Sequence, residues 1–106
     1  MNGNAKSDLA AIEERFHDVI NGRCERLEWA KNPDRDMPRI TEDLLGKEEF
    51  EWFPVPGMYG GFAYGLTEGV DGLTLTVESW WRIVGGSGQR HVITPSSTEL
   101  VEEGFV

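Results

Sequence analysis

Apolar positions first recur at helical spacing. Leu9, Ile12, Phe16, Val19, Ile20, Cys24 and Leu27 fall at i, i+3, i+4 and i+7, the signature of an amphipathic helix. Glu13, Glu14, Arg15, Asp18, Arg23 and Arg26 take the other side. The pattern predicts one helix over 7–30, packed along a single stripe. Ser7 is a good N-cap, and Asp8 in the first turn meets the positive end of the helix dipole. Gly22 interrupts the run at a cost of about 1 kcal/mol relative to Ala. Residues 1–6 read as a disordered tail. Residues 31–39 carry Pro33 and Pro38 among charges and read as a loop. Thr41 to Gly46 predicts a short helical turn, capped by Thr41 and stopped by Gly46.

From Glu49 onward the period changes to two. Strands are expected at about 49–54, 61–67, 73–84, 89–94 and 98–103. Glu68-Gly69-Val70-Asp71 closes a hairpin if Leu66 faces Leu73, which puts Tyr64 opposite Leu75 and Phe62 opposite Val77. Gly85-Gly86-Ser87-Gly88 closes the next hairpin, with Trp81 opposite Val92. Leu73, Leu75, Val77, Trp81 and Ile83 then share one face, which the helix stripe covers. The fold class is α+β: one domain over 1–106, a long N-terminal helix on a four- or five-stranded antiparallel meander, with room to curl into a cone or half-barrel.

Trp80 and Trp81 are adjacent in a strand, so they point to opposite faces. One helix cannot cover both. In this register the outer face holds Thr74, Thr76, Glu78, Trp80 and Arg82, with His91 and Ile93 beside them. A Trp next to Ile93 on an uncovered face is the kind of apolar patch that marks a contact site. Met58 and Tyr59, between Gly57, Gly60 and Gly61, read as a tight strand connection or as a mobile lip over a pocket.

Charge narrows the partners. Net charge is −9, from 10 Lys and Arg against 19 Asp and Glu. Residues 49–106 hold only Arg82 and Arg90 against eight acids. Such a surface repels phosphate backbones, so nucleic acid is not expected as a partner. A basic protein, or a small cation with apolar character, is electrostatically easier. The 106 residues suffice for one hydrophobic core. Cys24 is the one cysteine, so no internal disulfide argues for secretion. No apolar run approaches a membrane span. A cytoplasmic protein is the expectation.

Candidate chemistry is sparse. Glu78, Arg82 and His91 offer an acid–base group around Trp80: Arg to orient an anion, His to move a proton, Glu to set its tautomer. A plain ladder of mixed charges explains the same residues. Cys24 and His17 lie seven apart on the helix, yet Cys24 sits in the apolar stripe and reads as a small buried hydrophobe. His17, one turn after Glu13 and Glu14, suits an exposed charge pair. One Cys and two His match no metal-ligand spacing. No cofactor motif is present; Gly85–Gly88 lacks the Lys and following helix of a phosphate cradle.

The stretch Ser79-Trp80-Trp81-Arg82-Ile83-Val84-Gly85-Gly86-Ser87-Gly88-Gln89-Arg90-His91, with Leu100-Val101-Glu102-Glu103-Gly104-Phe105-Val106, resembles short uncharacterised bacterial proteins of the mobile integron gene-cassette type. That resemblance covers the last third of the chain and implies a bacterial accessory protein. A helix followed by a meander is also similar to cystatin-like and nuclear-transport-factor-like cones. The expected function is non-enzymatic binding by a homodimer, in an accessory or antitoxin-like role, through Trp80, Arg82, His91, Ile93, Met58 and Tyr59. The alternative is a small cone-type enzyme, isomerase-like or hydrolase-like, using His91, Glu78 and Arg82.

Overall fold

The computed structural model of the chain describes residues 5–25, 37–54, 59–82 and 85–105. Helix α1 (Ala5–Glu25) is followed by a short 3-10 turn (Glu42–Leu44) and five strands: β1 (Glu48–Trp52), β2 (Gly60–Gly69), β3 (Gly72–Trp81), β4 (Gly88–Thr94) and β5 (Ser97–Phe105). The strands form one antiparallel sheet in the order β1-β2-β3-β4-β5. The architecture is the α+β meander that the sequence predicts. The sheet is open and is not closed into a barrel, because β1 and β5 are its two edges.

Periodicity explains the packing. Along β3, Leu73, Leu75, Val77, Ser79 and Trp81 are buried while the residues between them are half-buried. Leu9, Ile12, Phe16, Ile20 and Cys24 of α1 meet that inner face as one core cluster with Phe62, Tyr64, Leu66 and Ile93. Phe53, just past β1, stacks on Trp81 at 4.3 Å with an 11° interplanar angle. Both edges are acidic: Glu48, Glu49 and Glu51 lie on β1, and Glu99, Glu102 and Glu103 on β5.

Several expectations need correction. The β2–β3 hairpin turns on Val70-Asp71 alone, so Leu66 pairs with Leu75 and Tyr64 with Val77, two residues from the expected partners. A shift of two preserves the faces. The β3–β4 pairing shifts by an odd number: Leu75 faces Ile93, Val77 faces His91 and Glu78 faces Arg90. That flips β4, so His91 and Ile93 are on the inner face and Val92 is on the outer one. Arg23, expected in solvent, is only 4% exposed. His17 is half-buried and donates from Nε2 to the Pro38 carbonyl at 2.7 Å. Glu13 instead pairs with Arg39 at 3.0 Å and accepts from the Ile40 amide. The helix begins at Ala5, inside the expected tail. Thr41 makes no side-chain cap bond; Gly46, at φ 75°, ends the turn as expected. Arg26, Leu27, Met58 and Ile83 lie outside the described residues.

Candidate interaction surface

The outer face of the sheet is built in rows across the strands. The first runs Trp52–Gly61–Trp80, with Gly88–Phe105 continuing it one step beyond the Ser79–Gln89 pair. Aromatic residues on β1, β3 and β5 thus alternate with glycines on β2 and β4. The next row is Phe50–Ala63–Glu78–Arg90–Glu102, and the third is Glu48–Gly65–Thr76–Val92–Glu99.

The glycines are required by contact. A Cβ on Gly61 would lie 2.8 Å from the Phe50 ring, and one on Gly88 2.6 Å from the Phe105 ring. Phe50 therefore leans over Gly61 and stacks on Trp80, 5.6 Å between centroids and 24° between planes. It also meets Trp52 edge-on at 5.1 Å. Arg82 lies over the Trp52 ring at 5.3 Å, and Arg90 over Phe105 at 5.5 Å, both within cation–π range. Phe50 and Trp52 remain 46% and 40% exposed, large values for aromatic side chains in a sheet. Trp80 is half-buried, partly by Phe50 from its own chain.

Gly61, Ala63 and Gly65 make β2 a furrow between taller neighbours on β1 and β3. Beside Phe50 the furrow opens into a trough of about 370 Å³, walled by Lys47 and Glu48 on one side and by Thr76 and Glu78 on the other. Glu78 accepts from Arg90 at 2.9 Å, and Arg90 also pairs with Glu102. The Glu78 hydrogen bond is the first cause holding the Arg90 guanidinium above its ordinary pKa.

The inner face has its own polar group. Arg23 donates from Nε to Ser79 Oγ at 2.9 Å and from Nη2 to the Ser87 carbonyl. Ser87 Oγ accepts from the Trp81 amide and donates to the Trp81 carbonyl, each at 2.8 Å, which closes the β3–β4 hairpin. Gln89 and Ser79 are buried beside them. Burial, and then the charge of Arg23, push the His91 pKa below its ordinary value. The buried His91 Nδ1 and Trp81 Nε1 make no hydrogen bond among the described residues.

Of the residues predicted for a site, Trp80, Arg82 and Glu78 are together on the outer face. His91 and Ile93 are not with them. Tyr59 is exposed, and its carbonyl accepts from the Arg82 amide; Met58 lies outside the described residues. Phe50, Trp52, Arg90 and Phe105 join the surface without having been predicted, although small residues at 61, 63 and 65 beside aromatics at 50 and 52 were readable. Among the described residues no group of three or more His, Cys, Asp or Glu side chains is placed to hold a metal, and no helix is long and apolar enough to cross a membrane. No family model, no curated protein and no solved structure matches this chain.

Proposed function

We propose that this protein is a non-catalytic interaction module whose working surface is the outer face of the sheet. One observation carries the reading. The helix covers one face, while the other presents Phe50, Trp52, Trp80 and Phe105 as an aromatic band with no element of the described chain laid over it. Aromatic residues with an adjoining Arg are the side chains that most often anchor protein contacts. The occupant is a second copy of the chain, a basic protein, or a small cation with apolar character. The acidic balance of the C-terminal half favours the cationic partners. A bacterial, cytoplasmic, accessory role of the integron-cassette type rests on the resemblance of the last third and on the single cysteine, Cys24.

The enzymatic alternative loses its assembled group. Glu78 and Arg82 face outward, and His91 lies on the opposite side of the sheet. The test compares wild type with Trp52→Ala and Trp80→Ala by sedimentation and by thermal shift against decalysine and alkylammonium probes. The substitutions should abolish self-association or the ligand response while the fold is retained. Both properties intact in both variants would remove this face as the working surface.

A further inference from the structure

We propose that the occupant of this face is a second copy of the chain, packed sheet to sheet about a two-fold axis running along β3. This rests on the reading of the outer face as the working surface and adds what fills it. An interface between identical copies must be complementary to itself under its axis. An axis along β3 exchanges β2 with β4 and β1 with β5 and keeps each row opposite itself. The two sides of β3 are matched in that way. On one side β2 is the furrow, open at Ala63 and Gly65 and roofed at Gly61 by the Phe50 ring. On the other, in the same rows, β4 carries Gly88, Arg90 and Val92.

The axis therefore sets Val92 of one copy above Gly65 of the other, and Arg90 above Ala63. Arg90 enters the trough whose walls include Glu48 and Glu78, so the charges match as well as the shapes. Trp80 meets its own counterpart, and Trp52 meets Phe105. A face of five strands by three rows covers roughly 500 Å² on each copy, from strand spacings of about 4.8 Å and row spacings of about 6.8 Å. The two copies together then bury about 1,000 Å², the lower end of the range of specific interfaces. The alternative route to self-association, strand pairing at an edge, brings the three carboxylates of β1 or of β5 against a like set. At the rim of the face-to-face dimer, Glu48 and Glu99 of opposite copies approach each other. Salt screens that repulsion and the Arg90–carboxylate attraction alike, so the salt dependence of the dimer is the balance of the two.

Sedimentation equilibrium of the full chain tests this. The wild type should be a dimer, and Ala63→Arg, which fills the furrow and opposes Arg90, should weaken it at least tenfold with an unchanged circular dichroism spectrum. In a Cys24→Ala background, Thr76→Cys on the axis should form an intermolecular disulfide readily. Glu99→Cys, far from its own counterpart, should not. A monomeric wild type at several hundred micromolar, or a dimer that survives Ala63→Arg, overturns the proposal, as does the reverse cross-linking pattern. A monomer whose thermal shift with decalysine is lost in Trp80→Ala overturns the dimer and leaves the binding surface standing. A monomer indifferent to the probes and to both Trp substitutions removes both.

Discussion

Trp81→Ala tests the core that sets the two faces apart. Trp81 is 3% exposed and lies flat on Phe53. A buried aromatic of this kind hides roughly 150–250 Å². At about 25 cal/mol per Å² its removal forfeits on the order of 4–6 kcal/mol, before the contribution of the new alanine is returned. Two further effects oppose each other. The cavity left beneath Phe53 adds to the loss. The indole N–H, buried without a hydrogen-bond partner among the described residues, disappears with the ring and returns about 1–3 kcal/mol. The net expectation is about 3–5 kcal/mol, the range of large aromatic deletions in cores. For a domain whose whole stability is about 5–15 kcal/mol, that is a large share. Urea unfolding at low micromolar concentration, followed by far-ultraviolet circular dichroism, reads it as a lower midpoint with an unchanged slope. Trp80→Ala, measured in the same way, loses a half-buried ring and one aromatic stack, and should cost about 1–2 kcal/mol. Equal losses in the two variants, or a loss under ~1 kcal/mol for Trp81→Ala, would refute this division of faces.

Because the folded pKa of His91 is lowered, the unfolded chain takes up its proton first, and stability contributed by neutral His91 is lost as pH falls below its ordinary pKa of about 6.5. Melting temperature should fall between pH 7.5 and 5.5, and His91→Gln should flatten that fall; an unchanged slope in the variant would exclude His91 as its source. Glu13, whose carboxyl is partly buried but held below its ordinary pKa by the Ile40 amide and Arg39, should lose its contribution only as pH falls through about 4.5 and lower. Urea unfolding of Arg39→Ala measured at pH 7 and at pH 3 should differ from wild type more at pH 7. Gly88→Val forces the Phe105 ring aside and should cost on the order of 1–3 kcal/mol, whereas Gly69→Ala, which meets nothing within 4 Å, should be close to neutral in the same denaturation assay. At physiological salt, gel shifts with duplex or single-stranded DNA should show no complex; binding that weakens steeply with added salt would contradict the electrostatic argument.

The helix stripe and the inner face of β3 were legible because their patterns are unmixed: Leu9, Ile12, Phe16, Ile20 and Cys24 repeat at helical spacing, and Leu73, Leu75 and Val77 alternate strictly. The facing of β4 was not, for a physical reason. Arg90 and Val92 alternate with His91 and Ile93, so each face of that strand offers one polar and one apolar residue, and periodicity cannot choose between them. The choice is made by Ser87, whose hydroxyl holds both backbone groups of Trp81, and by Arg23, which reaches Ser79 and Ser87 from the helix. A hydroxyl that caps a hairpin and a helix Arg that reaches residues more than fifty positions away leave no periodic trace. Arg23 falls on the polar side of the helix pattern for the same cause: its burial depends on a hydrogen-bonded partner, not on its own polarity. On the outer face Trp80 was recognisable as unable to share cover with Trp81. Trp52 and Phe105, in the same row as Trp80, come from strands at opposite ends of the sheet, brought into line by cumulative register.

In this sheet, spatial order is chain order, and each edge strand is hydrogen-bonded to a single neighbour within it. The structure can therefore come apart like a ribbon, from its ends toward β3. Amide exchange should report a gradient: slowest in β3, intermediate in β2 and β4, fastest in β1 and β5. Peeling β5 leaves the helix–β3–β4 core standing and bares one side of β4 as a template for another strand. Two chains that lengthened the connection before β5 could trade that strand, so the Pro95-Ser96 turn, by being short, keeps the last strand at home.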